Sequence, residues 1–250
     1  MKHLLLVFLI LNAFLGTSQS RYRDDKSPLQ IAIESKNLSE VKSLVSKGAD
    51  INEDGRWFDN PIEWAIKSND ITILKYLLAN GASTKQGIEH AIENSNKTMV
   101  ELLIENKFDL TYSAIYAAEE NNFELLKLVV NHGASVKESQ KRKKKLFSKY
   151  YVSAIEFATR HKNTDMALFI IEKGVTVKSA IEEAMVNSHN ELLKKLIDSD
   201  QEKNSILIEA MQYSNEEIIN YAVQKGADVK QKNKDGETLL HLAVQTSNIS

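Results

Sequence analysis

The segment PIEWAIKSNDITILKYLLANGAS, residues 61–83, contains two short amphipathic helices separated by a polar break. Pro61 suits a helix start, where its missing N–H costs nothing, and Ala65 lies on the apolar face of that helix. After the break, apolar residues at positions i, i+1, i+4 and i+5 predict a second helix. Gly81 follows at the place where a helix can end in a left-handed residue. The segment therefore predicts a helix–turn–helix unit.

The same unit recurs along the chain and is marked by one alanine, with spacings of 33, 26, 26, 41, 26, 26 and 33 residues between successive markers. A small side chain at this place lets two helices approach closely. One helical pair cannot bury its apolar stripe alone, so neighbouring units must stack. The marker alanines are Ala32, Ala65, Ala91, Ala117, Ala158, Ala184, Ala210 and Ala243. The glycines sixteen residues after a marker are Gly48, Gly81, Gly133, Gly174 and Gly226, with Lys107 and Asp200 in the two remaining places.

The clearest matches between units are SPLQIAI at 27–33, NPIEWAI at 60–66 and DGETLLHLAV at 235–244. In these segments the units resemble the ankyrin-repeat family. The resemblance covers about residues 27 to 250 and implies an all-α helix-turn-helix solenoid of about seven and a half repeats. It also implies a scaffold that binds a protein partner, although a fold does not fix the partner. The other segments that carry it are VKSLVSKGADIN at 41–52, LKYLLANGAS at 74–83 and LLKLVVNHGAS at 125–135.

The spacing departs from the 33 residues that ankyrin repeats usually have. Four spacings are 26, so those connections are expected to lack the projecting β-finger. The 41-residue spacing instead contains a fifteen-residue insertion between Val136 and Val152. The last unit has a first helix predicted over 239–245 and then stops, which fits either an imperfect cap or a truncated chain.

The first twenty residues have the layout of a secretory signal peptide. A short positive start precedes an apolar run over 4–15, and small polar residues follow, with cleavage expected after Ser18 or Ser20. The run is shorter than the roughly 20 residues that span a bilayer. We therefore expect residues 1–20 to be removed, residues 21–250 to form one repeat domain, and the protein to be secreted or periplasmic.

The composition excludes several functions. The chain has no cysteine, which rules out disulfides, thiolate metal sites and cysteine nucleophiles. A formal net charge of −2 gives no general reason to expect nucleic-acid binding. No metal or cofactor is expected, and no segment after the first twenty residues is apolar enough for stable membrane insertion. We expect a monomer.

An aromatic stripe is the first candidate for partner binding. The residue directly before each marker alanine is expected to face the concave surface, and aromatic side chains there are favoured anchors. The alternative is that these bulky residues only fill space between neighbouring helices. The candidates are Trp64, His90, Tyr116 and Phe157, with Trp57 and Phe58 in the preceding loop.

The insertion, at about residues 137–151, is the second candidate. Its basic run could contact an anionic protein, a phospholipid surface or nucleic acid, and it resembles a nuclear-import signal. The sequence favours the plainer interpretation of a solvated loop. The basic residues are Lys141, Arg142, Lys143, Lys144 and Lys145.

Catalytic signatures are missing from the sequence. The histidines after the first twenty residues have no metal-ligand spacing, and there is no phosphate-binding glycine loop or nucleophile elbow. His241 lies where the family uses histidine to tie loops together. The leading hypothesis is a non-catalytic protein-binding scaffold outside the cytoplasm. Its special cases are a periplasmic immunity-type inhibitor of a toxic enzyme and a secreted host-directed effector. A structural or chaperone-like role, or an enzyme with an unrecognised site, is the rival.

Overall fold

The computed structural model describes residues 26–53, 60–83, 87–143, 149–200, 202–232, 236–238, 240–241 and 244. The predicted signal peptide and most of the predicted eighth-unit helix lie outside these residues. The chain divides into two compact units, each larger than a single repeat: the first unit is Met1–Ala91 and the second unit is Ile92–Ser250.

The described residues form helices in sequential pairs, with one two-stranded sheet, which confirms the all-α class. No described helix is long and apolar enough to cross a membrane. In chain order the elements are α1 Pro28–Glu34, α2 Leu38–Ser46, α3 Pro61–Lys67, α4 Ile71–Ala79, α5 Ile88–Glu93, α6 Lys97–Glu105, α7 Ser113–Glu119, α8 Phe123–Asn131, β1 Ser139–Lys143, β2 Lys149–Ser153, α9 Ala154–Arg160, α10 Thr164–Glu172, α11 Val177–Val186, α12 Asn190–Asp198, α13 Lys203–Gln212 and α14 Glu216–Gln224.

The marker alanines lie where the first helices of neighbouring pairs pack together. Ala32 is 4% exposed, and the other described markers, from Ala65 to Ala210, are fully buried. In the second unit, α7 packs on α9, α9 on α11 and α11 on α13. We call the first helix of each pair the inner helix and the second the outer helix.

The turn between the two helices of a pair repeats as regularly as the alanine. The fourth residue after each described marker is left-handed, with φ between 51° and 55°. The fifth residue after the marker is Asn or Asp in six of the helical pairs. Its side chain accepts a hydrogen bond from a backbone N–H in the first turn of the outer helix. Such caps satisfy donors that the helix cannot. The sixth pair has His189 there, without a side-chain cap bond.

The ends of the outer helices follow the predicted glycine pattern. Gly81 has φ of 88° and Gly174 has φ of 102°, a conformation that only glycine adopts easily. Lys107 and Asp200, which replace glycine, take the same left-handed turn at 60° and 59°. The residues that link α6 to α7 and α10 to α11 are all described and contain no strand, which confirms the short connections.

Candidate functional site

The basic insertion forms an antiparallel β-hairpin. Gln140 pairs with Val152, and Lys141 pairs with Tyr151. Residues directly opposite each other in an antiparallel pair share a face of the sheet. Val152 is 2% exposed, whereas Tyr151 is 61% exposed. The hairpin therefore has a buried face and a solvent face. The expectation of a solvated loop is wrong for residues 139–143 and 149–151, which form the strands, whereas Lys137 and Glu138 are exposed and lie outside them.

The buried face is held by a charge-assisted contact. The Arg142 guanidinium donates from Nη1 and Nη2 to the two carboxylate oxygens of Glu119, at 2.6 Å each. These side chains are only 24% and 32% exposed. A planar, two-point pairing of this kind is strong and directional. It fixes β1 to the C-terminal end of inner helix α7.

A second contact places the hairpin over the inner helices. Gln140 Nε2 donates to the Tyr116 hydroxyl at 2.7 Å, and its Oε1 accepts from Arg142 Nε at 3.0 Å. The Arg142 guanidinium lies 5.9 Å from the Tyr116 ring centre and 5.6 Å from that of Phe157, within cation–π range. Tyr116 and Phe157 directly precede marker alanines. The insertion thus covers part of the predicted aromatic stripe.

The structure separates the predicted aromatic residues into three groups. Trp64 and Phe157 are 3% and 4% exposed, which favours the space-filling interpretation for both. His90 and Tyr116 are half-buried. The Trp64 indole N–H has no hydrogen-bond acceptor among the described residues. Trp57 and Phe58 lie outside the described residues, and partner binding by this set stays a prediction.

The basic residues of the insertion also differ from one another. Lys141 is exposed and lies 5.7 Å from the Tyr151 ring centre, on the solvent face. Arg142 belongs to the buried face and is neutralised by Glu119. Lys143 contributes its backbone to β1. Lys144 and Lys145 lie outside the described residues.

Two glutamates lie on the inner helices that follow the hairpin, Glu156 on α9 and Glu183 on α11. Glu156 precedes Phe157 on α9 and forms an ion pair with Arg160. Burial raises the pKa of the Glu183 carboxyl on α11, and the negative charge of Glu156 raises it further. The inner helices that follow the insertion thus hold two nearby carboxyl groups, one of them paired with Arg160.

The histidines of the second unit serve local structure. His132 Nδ1 donates to the Leu128 carbonyl oxygen at 2.8 Å. His161 Nε2 donates to the Glu119 carbonyl oxygen at 2.7 Å. His241 Nδ1 lies 2.7 Å from the Thr238 hydroxyl, consistent with the loop-tying role expected for this residue. The described residues contain no group of three side chains suited to a metal ion.

Glu119 and Gln140 are the site residues that sequence reasoning missed. In the sequence, Glu119 and Glu120 are two adjacent acids that look like ordinary charges on a solvated helix face. A usable signal was the position of Glu119 two residues after marker Ala117, on the inner helix of the repeat that precedes the insertion. An acid there can reach a basic hairpin that folds back over its own repeat.

The fold and this site define a helical repeat protein with one inserted hairpin. The family model for ankyrin repeats, in three copies, matches residues 2–87 and 180–250. The chain belongs to the ankyrin-repeat family. Ankyrin repeats are generally protein-interaction scaffolds.

Similar proteins support the same family. A 71-residue part is 38% identical to BRCA1-associated RING domain protein 1 of Caenorhabditis elegans, covering 28% of this chain and 10% of that protein. A 55-residue part is 40% identical to an ankyrin repeat protein of Rickettsia felis, covering 22% of this chain and 14% of that one. The chain therefore matches only a small share of the length of these relatives.

Solved ankyrin domains have the same fold. The ankyrin repeat domain of Bcl-3, a member of the IkappaB family, gives a TM-score of 0.57 at 17% identity. That comparison covers 88% of this chain and 95% of that one. The human ASB11 ankyrin repeat domain gives 0.50 at 17% identity, covering 87% and 91%. At this identity the likeness concerns the fold alone.

Proposed function

We propose that this chain is an exported, non-catalytic scaffold that binds a protein partner through the inner-helix face of its second unit and the hairpin on it. The docked hairpin is the observation that carries the proposal. Its buried face is clamped by Arg142 and Glu119, while its solvent face exposes Tyr151 and Lys141. A clamped surface loses less conformational entropy on binding than a free loop.

The export part of the proposal is supported by the N-terminal pattern. The expected mature protein begins at Gln19 or Arg21, after cleavage at Ser18 or Ser20. N-terminal sequencing of the protein from the native producer, combined with fractionation, tests this directly. An intact Met1 in the cytoplasmic fraction would refute export and leave the binding proposal standing.

Affinity capture from the exported fraction tests the binding part. A Tyr151→Ala variant is expected to recover much less of the partner than the wild type, because an exposed aromatic anchor is lost. Tyr76→Ala is the matched control, since Tyr76 is a half-buried tyrosine on outer helix α4 of the first unit and is not part of the proposed surface. A Trp64 variant is unsuitable, because removing a buried indole would also disturb packing.

The captured partner also distinguishes the two special cases. A toxic enzyme that is inhibited by this chain identifies an immunity role, whereas a host protein identifies an effector role. If wild-type protein recovers no specific partner from any exported or host fraction, the binding proposal fails.

A further inference from the structure

We infer that the solvent face of the hairpin, Lys141 and Tyr151, binds an acidic segment of the protein partner. This inference rests on the proposed function and adds the chemistry of the partner. The solvent face pairs a cation with an aromatic ring. Such a pair suits carboxylates that flank an apolar side chain.

The first argument is the distribution of charge. Residues 137–151 carry seven Lys and Arg against the single Glu138, whereas the whole chain has a formal net charge of −2. The rest of the chain is therefore net acidic. Local positive potential steers a negatively charged partner to the insertion.

The second argument separates Lys141 from its basic neighbour in β1. Arg142 has its charge neutralised by Glu119 on the buried face. Lys141 is exposed and has no carboxylate within salt-bridge distance among the described residues. Its ammonium lies 5.7 Å from the Tyr151 ring centre instead. The charge of Lys141 is available to a partner, and that of Arg142 is not.

The third argument is that the hairpin holds Tyr151 in place. Tyr151 is opposite Lys141 in the register and next to Val152, which is 2% exposed. Anchoring of Val152 and Arg142 on one face fixes the direction of the residues on the other. An exposed tyrosine on such a support is a favoured anchor in protein interfaces.

The fourth argument favours a protein segment over nucleic acid or an anionic membrane. Those polyanions bind through many contacts over an extended basic surface. Glu156 lies on α9, which contacts β2, and Glu183 lies on the next inner helix, α11. A long polyanion would meet these carboxylates, whereas a short acidic segment is accommodated on the hairpin alone.

Fluorescence anisotropy tests the inference with the full mature chain. The probe is a labelled short peptide of glutamates around one phenylalanine, and the reference is the same peptide with glutamine for each glutamate. We expect the acidic peptide to bind and the reference to bind at least about tenfold more weakly. Lys141→Glu and Tyr151→Ala should each weaken binding about tenfold, a loss usual for a central interface residue. Added salt should weaken it further.

Matched controls keep the experiment interpretable. Lys195→Glu makes the same charge change at an exposed position on outer helix α12 and should leave binding unchanged. Tyr213→Ala removes an exposed tyrosine ring outside the hairpin and is the control for Tyr151→Ala. Circular dichroism should show the same helix content for all variants, because both hairpin side chains are exposed.

Three results would overturn the inference. The first is no binding of the acidic peptide to the wild type. The second is binding that Lys141→Glu does not weaken. The third is tighter binding of single-stranded DNA or phosphatidylserine vesicles than of the peptide, lost in the same variants. If capture finds a partner whose recovery is insensitive to Lys141→Glu, the inference fails while the proposed function stands.

Discussion

Breaking the Arg142–Glu119 pair should release the hairpin without unfolding the repeats. Glu119→Gln keeps the shape of the side chain and removes its charge, and Arg142→Lys removes the planar fork that makes two bonds at once. The two existing bonds are 2.6 Å each. Glu119→Gln is the narrower change, because Arg142 also donates to Gln140 and lies over the Tyr116 and Phe157 rings.

The magnitude follows from the burial of the pair. Exposed ion pairs contribute about 0.2–1 kcal/mol, and breaking a fully buried pair costs about 3–5 kcal/mol. With side chains 24% and 32% exposed, this pair lies between those limits. We expect a coupling energy of about 1.5 kcal/mol in a double-mutant cycle, which corresponds to about a tenfold change in an equilibrium constant.

Hydrogen exchange and urea unfolding measure the two consequences. The backbone amides of β1 and β2 should exchange about tenfold faster in either variant, while those of α11 to α14 stay protected. The control cycle uses Lys178 and Glu182, which are 66% and 51% exposed and 3.7 Å apart, and should give no more than about 0.5 kcal/mol. Equal coupling in the two cycles, or unchanged exchange in the hairpin, would refute the clamp.

Three further perturbations address the repeat itself, each followed by urea unfolding. Ala158→Leu should cost about 1–3 kcal/mol through overpacking, because Ala158 is fully buried between inner helices; an unchanged midpoint would contradict that packing. Gly226→Ala should cost about 1 kcal/mol from the backbone alone, since φ is 80° and nothing lies within 4 Å of the added Cβ; no loss would show that the turn relaxes freely. Burial lowers the pKa of His189, so its neutral form stabilises the fold above about pH 6.5 and this stability falls as the pH drops through the folded pKa. His189→Asn should flatten that pH dependence, and an unchanged slope would assign it to other groups.

The repeat could be predicted from sequence because each of its signals is local. A marker alanine and a glycine sixteen residues later report close helix packing and a left-handed helix end, and both are set by nearby residues. The Asn or Asp five residues after the alanine is equally local and could have been found in the same way. Asn37, Asp70 and Asn163 all follow this rule.

The hairpin could not be predicted in the same way. Its strands lack the apolar alternation that marks a half-buried strand, because the buried face uses Gln140 and Arg142. Their partners, Tyr116 and Glu119, are 24 and 23 residues away in the chain. The sequence does not show whether a charged side chain is solvated by water or paired with a carboxylate. The sequence therefore favoured a solvated loop for the insertion.

The aromatic stripe shows the limit of a shared repeat position. Tyr116 and Phe157 both precede a marker alanine, yet Tyr116 is half-buried and bonded through its hydroxyl, while Phe157 is 4% exposed. The difference arises from what lies against each ring, which the repeat register does not encode. Burial of such a residue therefore cannot be read from its place in the repeat.

In the proposed function, the inserted hairpin adds a binding surface to that of the inner helices. The residues that repeat in every helical pair pack in the core or cap a helix. Binding of a partner therefore depends on positions that differ from one pair to the next. In the second unit Arg142 covers two of those positions, Tyr116 and Phe157. The same strand that covers them exposes Lys141, opposite Tyr151. Since Arg142 and Glu119 hold the hairpin on inner helix α7, a change at Glu119 should alter partner binding even though that side chain faces the hairpin and not the partner.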